Sequence, residues 1–369
     1  MPQKNSNMPP ILHINTEKGF RGGEVQTLEI AKRLRDKGYP TLLMCRKQGM
    51  LCQKAIAEGL ETMEFSPRGE LDILSALKIK KTASQFGARI VHAHTSQALG
   101  LVYLSRVRKA GCRVIATRRV SFPFKSRYSI RKYLAADRVI AVAEEVAIGL
   151  MKDGVPQDKI TVIHSGVNLE PFRNLAEPSK VKDRLGVGRH FPVIGVVGAL
   201  AHHKGHQTFL KALNRIWTRF PGVMTIFVGD GPAADDIRRS VESRGLPSLF
   251  TGHVDNVAPI YRAFDLFVLP SSSGEGSPGV IKEAAASMVP VVATNVGGTR
   301  EILRNGTEAI LVPPSEPIRM AEAIMTLVNN EELRTRLALA ARERVREFSF
   351  EKVVEQHELV YRKALEPKT

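Results

Sequence analysis

The segment from Pro270 to Glu283 combines small residues, a proline and two carboxylates, a set suited to binding a phosphorylated sugar. It follows a predicted strand, Asp265–Leu269, and reads PSSSGEGSPGVIKE. An ionised carboxylate only accepts hydrogen bonds, so Glu275 and Glu283 are suited to the hydroxyl groups of a sugar. A capping acid and a solvated helical acid are the alternative interpretation of this pair.

The helix predicted over Gly279–Ser287 offers backbone amides to an anion. Pro278 suits its first turn, and the small side chains before it leave the backbone accessible. Free amides at a helix start, together with the helix dipole, attract phosphate groups. We therefore predict a site for an activated sugar, the donor site, at Glu275, Gly276, Ser277, Pro278, Gly279, Val280 and Glu283.

Lys204 is a second candidate for holding a phosphate group. It follows Pro192–Val197, the first predicted strand of the second half of the chain, and stands directly before Gly205 at the start of a predicted helix. A lysine ammonium acts there as a compact point charge, although a solvated lysine is the alternative. We predict that Lys204 and the amides bind a diphosphate, while one glutamate binds a ribose and the other a transferred sugar.

A glycine pair follows the first predicted strand of the chain. Gly22 and Gly23 come after Ile11–Asn15 and open a predicted helix, Glu24–Lys37. The missing side chains let a ligand approach the backbone, and the helix start favours an anion; a simple tight turn is the alternative. The loop is not a GxGxxG fingerprint and the chain contains no Walker A motif, which disfavours nicotinamide dinucleotides and P-loop chemistry.

Two histidines alternate at the end of the predicted strand Arg89–Ala93. Side chains two residues apart on a strand point to the same face, so His92 and His94 could share one surface. His94 lies further towards the loop and is the candidate for a catalytic role, whereas a buried, hydrogen-bonded histidine is expected at His92. No third ligand stands near in sequence, and no metal site is predicted.

Positive charge is concentrated in the first half of the chain. Residues 1–180 contain 30 Lys and Arg against 16 Asp and Glu, whereas residues 181–369 contain 24 against 21. The excess peaks between Arg106 and Arg138, where eleven basic residues accompany one acid, Asp137. Such a field suggests an anionic partner, either nucleic acid, anionic lipid or a phosphorylated substrate, although a solvated basic surface explains any single residue.

Short β-rich segments alternate with helical patterns along the whole chain. With 369 residues, of which 43% are hydrophobic and 25% charged, two globular domains are expected, and no apolar stretch approaches the ~18 residues that span a bilayer. The alternation favours parallel sheets covered by helices, with ligands beyond the carboxyl ends of the strands. The remaining predicted strands are Thr41–Cys45, Arg113–Thr117, Val139–Val142, Thr161–His164, Val223–Val228, Val289–Thr294 and Ala309–Val312. The remaining predicted helices are Leu71–Phe86, Gln97–Lys109, Gly205–Arg219, Ala233–Arg244, Ile318–Asn329, Glu331–Arg346 and Phe350–Leu365.

A polar stretch with two prolines, residues 169–179, reads as a linker. We therefore expect an α/β protein in which two Rossmann-like, doubly wound domains face a deep interdomain cleft. The predicted parts are an N-terminal acceptor-binding domain (1–170), a linker (171–180), a C-terminal donor-binding domain (181–347) and a final helix (348–369).

At these motifs the sequence resembles the GT-B glycosyltransferases, specifically the large retaining family 4. The most specific element is Glu275 and Glu283 in the context P-S-x-x-x-E-G-x-P-x-x-x-x-E-A. The resemblance implies the GT-B fold, with the final helix crossing back to the N-terminal domain. It extends over Gly22-Gly23-Glu24, Val91–His94, Gly198–Gly205, Val228–Pro232, Thr251–His253, Ala263–Ser271 and Val296–Glu301.

The resemblance also implies retaining transfer from a nucleotide-diphosphate sugar without a bound metal or other cofactor, and the chain contains no D-x-D motif. Glu275 would contact the transferred sugar and Glu283 the ribose. Lys204 would neutralise the diphosphate, and the Gly22-Gly23 turn would close over the phosphate from the other domain.

Two positions depart from the family pattern. Ala199 stands where the family usually has an arginine, and Thr117-Arg118-Arg119 stands where many members have T-x-H. We hypothesise that Arg118 or Arg119 supplies charge on the donor or acceptor side, which leaves the histidine role to His94.

The basic segment and Thr117–Phe122 resemble enzymes that build the lipopolysaccharide core. A lipid-linked or phosphorylated glycan acceptor, with peripheral contact to an anionic membrane, is therefore predicted. The candidate acceptor or membrane residues are Arg118, Arg119, Lys125 and Arg127.

Three other functions remain as alternatives: transfer to a soluble glucan-type acceptor, donor binding without turnover, and nucleic-acid binding. The last is disfavoured because aromatic residues make up only 6% of the chain. The first residues lack the apolar region of a secretory signal, and three cysteines form no disulfide framework, so a cytoplasmic enzyme is expected.

Overall fold

The computed structural model describes residues 8–122, 124 and 126–367. They form two compact units, one comprising the residues up to Gly166 together with those from Phe350 onward, and the other Val167–Ser349. The first boundary therefore precedes the predicted linker 171–180, whose residues belong to the second unit. They form a 3-10 turn, Glu170–Phe172, and the start of a helix, because Phe172 and Val181 are buried in the second unit's core.

The first unit is built on one parallel sheet. Its strands lie in the order β3-β2-β1-β4-β5-β6-β7, so the connection reverses direction between β1 and β4. The six strands predicted here are confirmed to within two residues, whereas β3 was not predicted because four of its five residues are partly or fully exposed. The strands are β1 (Ile11–Asn15), β2 (Thr41–Arg46), β3 (Glu61–Phe65), β4 (Ile90–Ala93), β5 (Arg113–Arg118), β6 (Arg138–Ala141) and β7 (Ile160–Val162).

Seven helices of the described residues belong to the first unit, and α2, α5 and α6 among them were not predicted. The helix predicted over Gln97–Lys109 ends at Ser105, because Arg106 adopts a left-handed conformation with φ 55°. The helices are α1 (Gly22–Asp36), α2 (Met50–Ala57), α3 (Ile73–Phe86), α4 (Ser96–Ser105), α5 (Arg127–Leu134), α6 (Glu144–Lys152) and, last in the chain, α15 (Phe350–Leu365).

Both faces of the first sheet are buried, as expected when helices cover a parallel sheet on each side. Leu12 and Ile14 on β1 belong to one core cluster, whereas Ile11 on the same strand belongs to another. The second cluster includes Val354 and Tyr361 of α15, so the last helix completes the core of the first unit.

The second unit repeats this architecture with six parallel strands in the order β10-β9-β8-β11-β12-β13. The reversal now lies between β8 and β11. The five predicted strands are confirmed to within two residues; β10 was not predicted, and all its residues are partly exposed. The strands are β8 (Val193–Val197), β9 (Met224–Val228), β10 (Ser248–Gly252), β11 (Leu266–Leu269), β12 (Val291–Thr294) and β13 (Ile310–Val312).

The helices predicted for the second unit are confirmed to within two residues. Alternate residues of β8 again enter different cores, since Val193 and Ile194 belong to separate clusters. Among the described residues, no helix combines the length and apolarity needed to cross a lipid bilayer. The helices are α7 (Pro178–Arg184), α8 (His206–Arg219), α9 (Ala234–Glu242), α10 (Ala258–Tyr261), α11 (Gly279–Ala286), α12 (Thr299–Ile302), α13 (Pro317–Asn329) and α14 (Glu331–Val345).

Candidate functional site

Lys204 and Glu275 meet at the point of the second sheet where the strand order reverses. Lys204 ends a 3-10 turn that follows β8, and Glu275 lies in the loop after β11. Lys204 Nζ is 2.6 Å from Glu275 Oε1, and Glu275 is only 5% exposed. Two of the predicted site residues are therefore an ion pair at the edge where doubly wound sheets bind ligands.

Glu275 is held in place by its neighbours on two loops. Ser271 Oγ donates a hydrogen bond to the same carboxylate oxygen, Oε1. The Glu275 carbonyl accepts a 2.9 Å hydrogen bond from the Gly298 amide. Gly297 has φ 54°, and a side chain on it would collide with the Glu275 carbonyl. The Val-Gly-Gly segment after β12 therefore positions the acid, a role that the sequence analysis did not assign to it.

The turn that carries Lys204 packs against the loop after β11. Gly205 has φ 68°, and a Cβ there would collide with the Pro270 carbonyl oxygen. The amide and hydroxyl of Ser272 both donate 2.9 Å hydrogen bonds to the His203 carbonyl. The lysine can therefore reach Glu275 because a glycine follows it.

Helix α11 begins at Gly279 with Pro278 as its N-cap. Tyr261 Oη donates a 2.9 Å hydrogen bond to Glu283 Oε2, and Glu283 Oε1 lies close to Gly279. Burial raises the pKa of the Glu283 carboxyl, while the Tyr261 hydrogen bond and the Lys282 charge act in the opposite direction. Tyr261 thus orients one oxygen of the Glu283 carboxylate, while the other oxygen lies near the start of α11.

Lys282 is a buried cation that the sequence analysis did not single out. Its Nζ donates a 2.8 Å hydrogen bond to Ser277 Oγ, one of the predicted donor-site residues. The sequence did contain a signal for Lys282, namely a lysine between Ile281 and Glu283 in a helix that is otherwise rich in alanine. The predicted donor site thus contains two cations, two carboxylates and the amides at the start of α11, groups that could hold a phosphate and hydroxyls together.

Among the described residues of the first unit, three of the four buried histidines lie on β1 and β4 or directly after β4. His13 on β1 pairs in register with His92 on β4, and His13 Nδ1 lies 2.9 Å from His94 Nε2. His92 hydrogen-bonds Tyr361 Oη through Nδ1 and Thr117 Oγ1 through Nε2, both at 2.7 Å. Burial lowers the pKa of His13 to about 3 and holds the pKa values of His92 and His94 well below 6.5. All three rings are therefore neutral at pH 7.

His94, the candidate for a catalytic role, is buried, with 2% of its surface exposed, and its catalytic role stays a prediction. Its partner His13 lies on the neighbouring strand and was missed by the sequence analysis. One nitrogen of each of the three rings lies within 4.8 Å of the others, a geometry that could hold a transition metal. Hydrogen bonds already connect these rings to each other and to two hydroxyls, and the absence of a metal remains a prediction.

Gly22 and Gly23 are the first two residues of α1 rather than a turn before it. The Arg21 amide donates a 2.8 Å hydrogen bond to Glu24 Oε2, a cap that starts the helix two residues earlier than predicted. Arg119 Cδ lies 3.5 Å from where a Cβ on Gly23 would stand, so the glycine makes room for the arginine.

The structure separates the two arginines that replace the T-x-H histidine. Arg118 packs its guanidinium 4.1 Å from the centroid of the Phe124 ring and donates to the Phe122 carbonyl. Its guanidinium is therefore engaged within the unit, and a role of Arg118 towards a ligand stays a prediction. Arg119 is partly buried, and burial lowers its pKa to about 10 against the opposing effect of Glu24. Among the described residues, Arg119 Nε has no hydrogen-bond partner.

Parts of the basic segment are neutralised within the unit. Asp137 accepts hydrogen bonds at 3.0 and 3.1 Å from Arg108 Nε, and buried Lys132 donates to Glu70 at 2.7 Å. Lys132 is therefore part of the packed unit rather than of a solvated surface, whereas Arg108 pairs with Asp137 while its side chain stays 45% exposed. Of the other candidates, Lys125 lies outside the described residues, and Arg127 opens α5 with its side chain outside them as well.

Comparisons with known proteins match both units. Residues 20–171 match the family described as Glycosyltransferase Family 4, and residues 191–330 match Glycosyl transferases group 1. The uncharacterized glycosyltransferase MJ1178 of Methanocaldococcus jannaschii is 30% identical over 78% of this chain and 79% of its own length. The lipopolysaccharide core biosynthesis glycosyltransferase LpsE of Rhizobium meliloti is 32% identical over 45% of this chain and 48% of its own.

The chain spans about half the length of several other curated relatives it matches, between 46% and 52% of each. Among solved structures, Alr3699/HepE of Anabaena in complex with UDP has a TM-score of 0.87 at 22% identity, covering 96% of this chain and all of that one. The strand orders and these matches agree on the fold and the family. The chain belongs to the GT-B glycosyltransferases, with a family 4 domain followed by a group 1 domain.

Proposed function

We propose that this protein is a retaining, metal-independent glycosyltransferase that takes a sugar from a nucleotide-diphosphate donor. The observation that carries the proposal is the Lys204–Glu275 pair at the strand reversal of the second sheet, beside the start of α11. A cation, a carboxylate and the amides at a helix start, all within one short region, match the phosphate and hydroxyl groups of such a donor.

The reaction breaks the bond between the anomeric carbon and the phosphate oxygen, which keeps the electron pair, and the acceptor hydroxyl oxygen bonds to that carbon. The hydroxyl proton passes to a phosphate oxygen of the departing nucleoside diphosphate. Negative charge therefore grows on the departing diphosphate, where Lys204 and the α11 amides are placed to stabilise it. One preorganised donor of this kind contributes ~3–4 kcal/mol to lowering the barrier. We assign Glu275 to the transferred sugar and Glu283 to the ribose.

Donor binding requires Lys204 to exchange part of its contact with Glu275 for a phosphate oxygen. Ser271 Oγ already donates to the same carboxylate oxygen, so Glu275 keeps a partner when the lysine shifts. Gly276, Ser277, Gly279 and Val280 then supply the accessible backbone. Gly22 and Gly23, at the start of α1, are proposed as a phosphate-binding segment of the first unit by itself.

The nucleotide proposed first is uridine diphosphate. The support is the HepE structure, which was solved with UDP and shares the fold.

We propose a lipid-linked or phosphorylated glycan as acceptor, in lipopolysaccharide or other cell-surface glycan synthesis on the cytoplasmic side of a membrane. The support is the LpsE match together with the positive charge of the first half of the chain. Arg119 is the candidate for the acceptor's anionic group, and His94 a positioning residue behind it.

The test is a thermal-shift panel of UDP-, GDP- and ADP-sugars followed by a donor hydrolysis assay. A donor present at 100 times its dissociation constant raises the free energy of unfolding by ~2.7 kcal/mol. Glu275→Gln is expected to keep the fold and lose turnover. The exposed Lys211 on α8 provides a matched control for Lys204 through Lys211→Ala. Absence of any shift and of any hydrolysis across the panel would contradict the proposal.

A further inference from the structure

An apolar cluster without a packing partner lies at the start of α3. Leu71, Ile73, Leu74 and Leu77 are 69%, 64%, 74% and 56% exposed. Single exposed leucines are ordinary, but four large apolar side chains within seven residues mark an interaction surface. We call these four residues the α3 tip.

The α3 tip is not needed to pack the helix. Ala76, Ile79 and Ala83 form the buried side of α3, and Ile79 and Ala83 enter the main core of the first unit. The acid within the tip, Asp72, is occupied as the N-cap and accepts hydrogen bonds from the Ser75 amide at 3.2 Å and its hydroxyl at 2.8 Å. The outward face of the tip is therefore apolar, and its carboxylate is already bound.

Three exposed lysines, Lys78, Lys80 and Lys81, follow on the next turns of the same helix. One of the three N–H groups of Lys78 donates a 2.6 Å hydrogen bond to the Glu64 carbonyl, so this lysine has two left for lipid phosphates. At 1.5 Å per residue, Lys78 and Lys81 lie about 6 and about 10 Å along the axis from Leu74. Interfacial segments bury apolar side chains roughly 5–10 Å into the boundary of a bilayer and keep lysines at the level of the phosphates. The spacing of apolar and basic residues on α3 fits that arrangement.

The α3 tip lies on the sheet edge that carries the candidate acceptor residues. Helix α3 follows the carboxyl end of β3, just as His94 follows β4. Two further exposed apolar residues, Val120 (41%) and Phe122 (55%), follow the carboxyl end of β5. Glu70, directly before the tip, is tied to Lys132 of α5 at 2.7 Å, which holds the start of this segment to the unit. Apolar groups and the candidate acceptor residues therefore share one edge.

We infer that the α3 tip inserts into an anionic lipid bilayer, with Lys78, Lys80 and Lys81 contacting the lipid phosphates. This inference rests on the proposed lipid-linked acceptor, since docking at this edge brings the acceptor side of the first unit to the membrane. The chain's net charge of +17 also favours binding to an anionic bilayer over binding to a neutral one.

The test is flotation with vesicles of phosphatidylcholine alone and with 30% phosphatidylglycerol. The full-length protein is expected to bind the anionic vesicles at least about tenfold more strongly than the neutral ones. The double variant Leu74→Glu with Leu77→Glu is expected to lose at least about tenfold in partitioning, because two leucines no longer enter the apolar layer. Leu339→Glu, at a 51% exposed leucine of α14, is the matched control and is expected to change partitioning less than about twofold.

A fluorescence measurement reports insertion directly. Trp217 is the sole tryptophan, so Leu74→Trp in a Trp217→Phe background gives one probe at the tip. We expect a blue shift and quenching by brominated lipids with anionic vesicles. Donor hydrolysis without vesicles is expected to be unchanged in the tip variants, so loss of lipid binding and failure of the proposed function are told apart.

Three outcomes would overturn the inference. The full-length protein does not bind anionic vesicles, or the Leu74→Glu, Leu77→Glu variant binds them as well as the unmodified chain. In the third, light scattering finds a dimer without lipid that the same variant converts to a monomer, which assigns the tip to a second copy of the chain.

Discussion

Lys204 Nζ lies 2.6 Å from Glu275 Oε1, so the candidate phosphate-binding cation is paired with the candidate sugar-binding acid. The contact joins the loops after β8 and β11, which flank the strand reversal of the second sheet. Each charge is balanced by the other, and a donor that carries both phosphate and hydroxyl groups can satisfy both.

Replacing Lys204 tests the leaving-group role. Lys204→Ala is expected to lower kcat by roughly 10²–10³-fold, because a preorganised cation is lost where negative charge develops. Steady-state kinetics with the donor that gives the largest thermal shift measure this effect. Lys211→Ala, a change of an exposed lysine on α8, should leave kcat unchanged. A fall of less than about threefold for Lys204→Ala would remove the lysine from the mechanism.

Gly205 offers a test of the backbone that positions Lys204. Gly205 and Gly186 have similar backbone angles, φ 68° and 71°, but a Cβ meets the Pro270 carbonyl only at Gly205 and finds open space at Gly186. Gly186→Ala is expected to cost ~1–2 kcal/mol of unfolding free energy from backbone strain alone. Gly205→Ala is expected to cost about 1–3 kcal/mol more, because the turn must move.

Urea denaturation of both variants measures the difference. Gly205→Ala should also lower donor turnover while Gly186→Ala does not, since only the first displaces Lys204. Equal losses of stability in the two variants would mean that the turn around Gly205 moves to accommodate the added Cβ at no cost in unfolding free energy.

Tyr261→Phe tests the orientation of Glu283. The hydroxyl donates to Glu283 Oε2 and lowers the carboxyl pKa against the effect of burial, so its removal raises that pKa further. The ionised acid is the form suited to accept hydrogen bonds from a ribose. As the pH is lowered, the variant should therefore begin to lose donor affinity at a higher pH than the unmodified protein does.

The donor KM measured between pH 5 and pH 8 shows the shift, with kcat changing less than KM because a ribose contact acts alike in ground and transition states. An unchanged pH profile of the donor KM would show that Glu283 does not contact the donor.

The sequence predicted most of the scaffold and part of the site. Parallel strands with strongly apolar sequences were found to within two residues, because burial on both faces leaves a clear signal. The half-exposed strands β3 and β10 were missed for the opposite reason. The Glu275–Glu283 pair was singled out because small residues surround it in sequence, and Lys204 because it stands beside Gly205 at the start of a helix.

Contacts between distant segments were not predictable from local patterns. His13 was missed because its relation to His92 depends on β1 and β4 being neighbours. Tyr261 was missed because its hydroxyl reaches Glu283 from another helix. Arg118 and Arg119 are adjacent and chemically alike, and only the packing of Arg118 on Phe124 separates their roles.

The buried histidines predict that the first unit is sensitive to acid. Burial lowers the pKa of His13 to about 3 and of His357 to about 4, and those of His92 and His94 well below 6.5. Once unfolded, the same side chains bind protons near pH 6.5. Between the lowered pKa values of the folded state and pH 6.5, the unfolded state therefore binds more protons than the folded state. The free energy of unfolding consequently falls as the pH drops below about 6.5.

Each such histidine lowers the free energy of unfolding by up to ~1.4 kcal/mol per pH unit in that window. Four together should remove well over ~2 kcal/mol between pH 7 and pH 5, measured by urea denaturation with a probe in the first unit. His13→Gln should flatten this pH dependence, whereas His253→Gln, at a histidine whose side chain is 68% exposed, should leave it unchanged. Equal slopes for His13→Gln and the unmodified chain would show that His13 is already protonated in the fold or neutral in both states.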